Sequence, residues 1–312
     1  MSSETTPSPS APDASEPAPS AGAPEPAAPP PAKSKTDPAF IRNTLTRFAT
    51  AAIGIPILLW LMFIGPPWAF LLLVLAAVAR GGHELMRMTM VGAPLLHLWG
   101  VLATVGIAAA LVLAPDARVL ATLILAHAAI ATIASLSKPQ PTEAAGMRLA
   151  WLLAGPLYVG GLASSVAAVH RVPHGGEWVL LSMWLAWASD TGAYFAGRYF
   201  GKHKLYPQVS PSKTVEGSIG GLMGSLTGGL AAHFGFLPSL PLLDAIVLAL
   251  FAGALGQAGD LVESLVKRST GVKDSGSILP GHGGMLDRID ALMFTATACL
   301  LYALWIMPLR IE

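Results

Sequence analysis

Residues 264–290 read SLVKRSTGVKDSGSILPGHGGMLDRID, a charged and glycine-rich stretch between two long apolar runs. Glycine and proline interrupt it repeatedly, so the stretch is predicted to be a shaped loop that joins two helices. Charges are costly to place near lipid hydrocarbon, and membrane proteins keep them mainly where they have a function. Lysine, arginine and aspartate on a glycine-rich loop at a membrane boundary suggest a site for phosphate and a divalent metal.

The composition of the whole chain is that of a polytopic membrane protein. Of its 312 residues, 53% are hydrophobic and 12% are charged, whereas an ordinary soluble domain carries about 25% charged residues. Cys299 is the single cysteine, which excludes a disulfide framework and a thiolate zinc site. Residues 1–38 are rich in proline and are predicted to form a disordered cytoplasmic tail, with a docking arm as the alternative. No secretory signal peptide is expected there.

Residues 39–312 are predicted to form the transmembrane domain, because they contain apolar runs that are long enough to cross a bilayer as helices. The class is all-α, a membrane bundle of about nine transmembrane helices. Gly65-Pro66-Pro67 separates the first two runs, which can form a tight hairpin or one broken element. Glycines recur in the seventh run at a spacing that favours close helix packing. The runs cover residues 48–64, 67–82, 95–113, 117–136, 148–169, 177–199, 217–237, 242–267 and 288–308.

The basic residues predict the orientation of the chain, because cytoplasmic loops carry an excess of lysine and arginine. Most of these residues precede the first run or follow the second, fourth, sixth and eighth runs. The N-terminus is therefore predicted to be cytoplasmic. The charged loops 198–216 and 267–288 are predicted to face the cytoplasm as well, where nucleotides are found.

Two polar groups precede residues 264–290 in the chain. Asp190, Tyr194 and Arg198 lie at helical spacing in the sixth run and share one face. An aspartate in an apolar helix is a functional candidate, with an interhelical hydrogen bond or ion pair as the alternative. The loop QVSPSKTVEGS, residues 208–218, offers hydroxyls and an ammonium suited to phosphate, although Thr214 can also be a plain N-cap. Its candidate substrate-binding residues are Ser210, Ser212, Lys213, Thr214 and Glu216.

Carboxylates at the facing ends of the eighth and ninth runs are the predicted metal ligands. Asp260, Glu263 and Lys267 form a polar stripe toward the end of the eighth run. Asp260 and Asp287 could hold Mg²⁺, which prefers a few carboxylates completed by water and substrate phosphates. For Asp287 the alternative is capping of the ninth helix.

The other polar residues of this stretch are assigned to the substrates or to catalysis. Asp290 can instead cap the ninth helix, and His282 can contact phosphate or merely bridge the loop. Zinc is not expected, because no cysteine or second histidine is near His282. Lys267 and Arg288 are assigned to catalysis together with the two metal ligands, and the substrate contacts are Asp190, Tyr194, Arg268, Lys273, Asp274, His282 and Asp290.

These residues resemble the signature of the phosphatidate cytidylyltransferases, also called CDP-diacylglycerol synthases. The resemblance covers residues 189–300 well and the first half of the chain only in hydropathy. It implies transfer of a cytidylyl group from CTP to phosphatidate with release of diphosphate. It also implies a requirement for Mg²⁺, with a second cation left open, and metal-bearing acids at Asp260 and Asp287. The matching segments are Asp190 to Arg198, Ser210 to Gly217, Ser264 to Arg268, Lys273-Asp274 and Leu279 to Asp290.

The resemblance further implies a homodimer in the inner membrane of a bacterium, with the active site facing the cytoplasm. No nucleic-acid partner is expected. A lipid or polyprenol kinase of similar architecture, using CTP or ATP, is the first alternative, and a membrane transporter is the second. A transporter would carry its charges near the bilayer midplane in broken helices of matching halves. Here they concentrate at the predicted cytoplasmic helix ends, which favours an enzyme.

Overall fold

The structure, a computed structural model, describes residues 38–276 and 283–308, with side chains from residue 51 onward. The predicted tail lies outside these residues except for Pro38. The helices are α1 (Pro38–Phe63), α2 (Pro67–Thr89), α3 (Pro94–Leu113), α4 (Ala117–Ser135), α5 (Thr142–Pro156), α6 (Leu162–Val169), α7 (Gly175–Phe200), α8 (Val215–Ala231), α9 (Leu242–Ser269) and α10 (Leu286–Trp305). The strands are β1 (Lys204–Tyr206) and β2 (Ser210–Thr214).

Each predicted apolar run is helical in the described part of the chain. The fifth run contains both α5 and α6, which continue into one another through the π-helical turn Leu157–Gly161. Within the part of the chain that the structure describes, six helical segments are long and apolar enough to cross a membrane, namely α2, α3, α4, the joined α5 and α6, α9 and α10. The all-α membrane architecture is therefore confirmed. That α1, α7 and α8 also cross the membrane stays a prediction.

The first two runs form two separate helices. Helix α1 ends at Phe63 and α2 begins at Pro67. Proline suits the first turn of a helix, because the N–H that it lacks would have no intrahelical partner there. The Gly65-Pro66 break therefore ends one helix and starts the next.

The loop predicted between the sixth and seventh runs contains a short β-hairpin. Strands β1 and β2 pair antiparallel, with Lys204 opposite Thr214 and Tyr206 opposite Ser210. At the end of β2, Thr214 caps α8, because its Oγ1 accepts a hydrogen bond from the N–H of Gly217 at 3.1 Å. The N-cap interpretation of Thr214 is confirmed, and the hairpin is an addition to the all-α prediction.

Helices α7 and α8 pack with their backbones in direct contact. A Cβ added at Gly192 would collide with the carbonyl oxygen of Gly220, and one added at Gly224 would collide with that of Ala188. Only glycine permits such an approach. The predicted close packing of the glycine-rich seventh run is therefore confirmed, and it holds the Asp190 face of α7 beside the start of α8.

Helices α9 and α10 are also in close contact, at the ends that carry the acidic residues. A Cβ at Gly259 would meet the ring of Phe294 and lie 2.9 Å from the carbonyl oxygen of Asp290. A Cβ at Gly256 would lie 3.1 Å from Thr295. The small residues of α9 thus place Asp260 next to the first turn of α10.

Candidate functional site

A polar cavity of about 440 Å³ lies between α7, α8, α9 and the β-hairpin. The predicted face of α7 lines it, and so do Ser212, Lys213 and Thr214 of the predicted phosphate loop. The structure therefore brings these two groups of polar residues together. The polar lining residues are Asp190, Tyr194, Arg198, Ser212, Lys213, Thr214, Ser218, Gln257 and Asp260.

Three polar contacts involve the lining residues Lys213, Asp260 and Gln257. The Lys213 Nζ lies 2.6 Å from the Asp260 Oδ2, and both side chains are partly exposed. Gln257, one turn before Asp260, donates from Nε2 to the carbonyl oxygen of Ser218 at 3.0 Å and to the Ser189 Oγ at 3.2 Å. Sequence reasoning missed Gln257, although an amide one helical turn from Asp260 was an available signal.

A cluster of three carboxylates adjoins the cavity. Asp260, Glu263 and Asp290 each offer an oxygen, and these oxygens lie within 4.8 Å of one another. Glu263 is 1% exposed, and its Oε1 has no hydrogen-bond partner among the residues that the structure describes. The buried hydroxyl of Tyr158 likewise has no hydrogen-bond partner among the described residues. Oxygen ligands at this separation could hold a divalent cation.

Asp287, the predicted partner of Asp260, occupies a different position. Its Oδ1 lies 2.7 Å from the Lys267 Nζ, and its Oδ2 accepts from the N–H of Gly284 at 2.9 Å and of Ser275 at 3.1 Å. Lys267 also lies 2.8 Å from the Glu263 Oε2. Lys267 thus stands between Asp287 and the carboxylate cluster.

The structure therefore brings Asp260 together with Asp290 and Glu263. Sequence reasoning assigned Asp290 to the substrate or to helix capping and treated Glu263 only as part of a polar stripe. Asp290 Oδ1 does accept from a backbone N–H, that of Ala291 at 2.7 Å. Asp287 as a metal ligand stays a prediction.

Glu84 on α2 is a further buried acid that the sequence reasoning missed. It is 0% exposed and accepts hydrogen bonds from Arg80 Nε at 3.1 Å, Ser275 Oγ at 3.0 Å and the N–H of Leu286 at 2.9 Å. Glu84 lies two residues after the second predicted run and inside α2, so an acid next to an apolar helical run was the available signal, similar to the one that singled out Asp190.

Glu216 is not among the residues that line the polar cavity. It accepts from the N–H of Lys202 at 3.1 Å and of His203 at 3.2 Å, and it pairs with the His203 Nδ1 at 2.6 Å. Hydrogen bonds from its own backbone N–H, from the His203 side chain and from the Lys202 N–H lower the pKa of Glu216 to about 2. Glu216 is therefore ionised at neutral pH and anchors the turn that enters β1.

The other predicted substrate residues lie around these features. Ser210 belongs to the hairpin ladder, and Arg268 is exposed and donates to the Val272 carbonyl oxygen at 3.2 Å. Lys273 and Asp274 are exposed beyond the end of α9. His282 lies outside the described residues.

An apolar cavity of about 210 Å³ lies among α1, α2, α6, α7 and α10. Among its lining residues, Phe70 and Met293 are buried, whereas Trp187 is 51% exposed. Arg288 is exposed and is the one charged residue in the lining that the structure describes. On α7, Trp187 is one turn from Asp190, so this helix carries residues of both cavities.

Comparison with known proteins places these features in a family. The model of the cytidylyltransferase family matches residues 45–306. The phosphatidate cytidylyltransferase of Staphylococcus saprophyticus is 52% identical over 124 residues, which are 38% of this chain and 46% of that protein. The phosphatidate cytidylyltransferase of Bacillus subtilis is 46% identical over 123 residues, 39% and 45% of the two chains.

The chain thus spans about half the length of the curated relatives it matches. The family model, in contrast, covers residues 45–306, most of the 312. That range includes both cavities and the carboxylate cluster. The chain therefore belongs to the cytidylyltransferase family.

Proposed function

We propose that this protein transfers the cytidylyl group of CTP to phosphatidate, forming CDP-diacylglycerol and diphosphate. The proposal rests on one observation: Asp260 both lines the polar cavity and belongs to the carboxylate cluster. A nucleotide triphosphate in the cavity would therefore lie next to a site suited to a divalent cation. Membership of the cytidylyltransferase family and the names of the relatives support the same reaction.

The reaction needs charge neutralisation more than a strong base. A phosphate oxygen of phosphatidate attacks the α-phosphorus of CTP, and the bond from that phosphorus to the β-phosphate oxygen breaks. The attacking oxygen is already anionic, so no proton has to be removed from it. Catalysis then rests on alignment of the two substrates and on cations that stabilise charge on the phosphates.

Mg²⁺ is the proposed cofactor, held by Asp260, Glu263 and Asp290. The Oε1 of the buried Glu263, which has no hydrogen-bond partner among the residues described, supports this fit, because a buried carboxylate oxygen is costly without a ligand. Bound Mg²⁺ would supply positive charge to the phosphate oxygens and leave coordination positions for them.

The protein's own cations are assigned by position. Lys213 and Arg198, with the hydroxyl of Ser212, line the polar cavity and would contact the triphosphate. Lys267 is fixed between Glu263 and Asp287 and would hold both carboxylates in place. Glu216 would act indirectly, because its hydrogen bonds hold the turn before the hairpin that carries Lys213.

The apolar cavity is the proposed location of a phosphatidate acyl chain. Arg288, which lines this cavity, would contact the lipid phosphate. The polar cavity is close by along α7, because Trp187 of the apolar cavity is one turn from Asp190 of the polar cavity. An acyl chain gains little hydrophobic energy when it leaves the bilayer for such a groove, because lipid tails are equally apolar. The cavity would therefore act through its shape and would orient the phosphate.

Ala77 is half-buried and lines this cavity. The substitution Ala77→Phe is expected to raise KM for phosphatidate severalfold and leave KM for CTP unchanged. The larger side chain would occupy the space assigned to the acyl chain. Steady-state kinetics in mixed micelles measures both constants. Ala76→Phe is the matched control, because Ala76 is the exposed neighbour on the same helix. Equal effects of the two substitutions would remove the acyl chain from this cavity.

We further propose that the protein is a homodimer in the inner membrane of a bacterium. The polar cavity would face the cytoplasm, in keeping with the basic residues that flank it. Residues 1–38 would form a cytoplasmic tail and residues 39–312 the transmembrane cytidylyltransferase domain. Cysteine labelling at exposed positions of the β-hairpin, in intact cells and in inverted vesicles, tests the orientation.

The reaction itself is tested with purified protein, phosphatidate and CTP labelled in the α-phosphate. The expected result is Mg²⁺-dependent release of diphosphate, with the label recovered in the lipid. A lipid or polyprenol kinase would instead transfer the γ-phosphate to a lipid alcohol. Label transferred only from the γ-position of CTP or ATP would therefore replace the present proposal with the kinase.

A further inference from the structure

We infer that Glu84, on α2, is a positioning residue. It fixes the positions of Asp287 and of the first turn of α10. The inference rests on the proposed function insofar as it concerns turnover. Glu84 contacts Ser275 and Leu286, which are 191 and 202 residues away in sequence. These contacts join α2 to the two sides of the segment that precedes α10.

The first contact caps α10. Helix α10 starts at Leu286 and has no side-chain cap of its own, although the first N–H groups of a helix have no intrahelical partner. Glu84 Oε2 accepts the N–H of Leu286 at 2.9 Å, so α2 supplies the missing cap. A carboxylate at this position also interacts favourably with the helix dipole.

The second contact fixes Ser275, whose polar groups are all held. Its Oγ donates to Glu84 at 3.0 Å, its N–H donates to Asp287 Oδ2 at 3.1 Å, and its carbonyl oxygen accepts from Arg87 Nη2 at 2.8 Å. Ser275 therefore links Glu84 to Asp287 by two hydrogen bonds. Asp287 in turn pairs with Lys267, and Lys267 pairs with Glu263. A chain of contacts therefore connects Glu84 to the carboxylate cluster.

The surrounding backbone fits closely around Glu84. A Cβ at Gly284 would lie 2.6 Å from the Glu84 Oε2, and a Cβ at Gly276 would collide with the Oε1. These two glycines leave the space that the carboxylate occupies. Both oxygens of Glu84 have donors, with Arg80 Nε at 3.1 Å from the Oε1. A glutamine has one acceptor oxygen and a donor amide, so Glu84→Gln would set a donor against a donor.

The test compares Glu84→Gln with Ser275→Ala in the full-length protein. Glu84→Gln is expected to lower kcat about 10²-fold, the scale of a small misplacement of catalytic groups, with KM for CTP little changed. Ser275→Ala should lower kcat less, because the cap on Leu286 remains. The double variant should be no slower than Glu84→Gln, because both changes break one connection. Hydrogen exchange at the amides of residues 284–286 should rise in Glu84→Gln.

Asp244→Asn is the matched control for a buried carboxylate outside the site. Asp244 lies at the opposite end of α9 and accepts from the Tyr302 Oη at 2.7 Å. A fall in melting temperature without loss of kcat is expected for this variant.

Equal losses of kcat in Asp244→Asn and Glu84→Gln, or additive losses in the double variant of Glu84 and Ser275, would overturn the positioning role. If Glu84→Gln does not fold, unchanged kcat in Ser275→Ala has the same consequence. An inactive wild-type protein would contradict the proposed function, while the exchange measurement would still test Glu84.

Discussion

Replacement of Asp260 or Asp290 by asparagine is expected to lower kcat by about 10²–10³-fold, the scale at which an electrostatic contact to the transition state is lost. Both residues belong to the carboxylate cluster, and an amide is a weak ligand for a hard cation such as Mg²⁺. The measurement is turnover of CTP at saturating Mg²⁺. Binding of Mn²⁺ to the detergent-purified protein, followed by electron paramagnetic resonance, should weaken in parallel.

Two comparisons separate loss of the cation from other effects. Asp260 also pairs with Lys213 at 2.6 Å, whereas Asp290 is not a member of that pair, so loss of cation binding in both variants points to the cluster. Asp287→Asn extends the comparison, because Asp287 contacts Lys267. If Asp287→Asn abolishes Mn²⁺ binding while Asp290→Asn does not, the metal assignment made from the sequence replaces the present one.

Lys267→Met is expected to lower both the melting temperature and kcat. The Lys267 side chain is 12% exposed and lies between two carboxylates that are 1% and 11% exposed. Breaking a buried ion pair by removing one partner costs about 3–5 kcal/mol, because the remaining charge is left without compensation. Asp287 would also lose one of the contacts that fix it, so kcat should fall. Thermal unfolding and kinetics measure the two effects separately.

The double variant Lys267→Met/Glu263→Gln identifies which effect is functional. Removing the charge of Glu263, the more buried of the two carboxylates, together with that of Lys267 should restore part of the melting temperature, since no unpaired carboxylate remains at residue 263. Turnover should stay low, because a member of the carboxylate cluster is lost. A fall in melting temperature with full kcat in Lys267→Met would instead show that this polar stripe serves packing alone.

Most of the fold could be predicted from the sequence, because hydropathy over about 20 residues is the strongest local signal in a membrane chain. All the apolar runs are helical in the described residues. The β-hairpin was not predicted, because β1 has three residues and β2 contains Pro211. Strands this short contain too few residues to show the alternation of apolar and polar side chains that identifies a strand in a sequence.

The candidate site was predicted only where one helix or one loop decides the geometry. Helical spacing was sufficient to place Asp190, Tyr194 and Arg198 in one cavity. The choice between Asp287 and Asp290 as the neighbour of Asp260 depends on how α10 is rotated against α9, and spacing within either helix does not determine that rotation. Glu84 reaches its partners across 191 and 202 residues, and no local pattern contains such a contact.

The glycine contact between α7 and α8 has a consequence for how this sequence can vary. Asp190 lies on α7, whereas Lys213 lies on the hairpin strand that leads into α8. The separation of the two residues depends on Gly192, Gly220 and Gly224 having no side chains. Even alanine at these positions would push the two backbones apart. In a saturation mutagenesis library selected for growth, the positions that accept the fewest substitutions should therefore include these three glycines, although none of them lines either cavity.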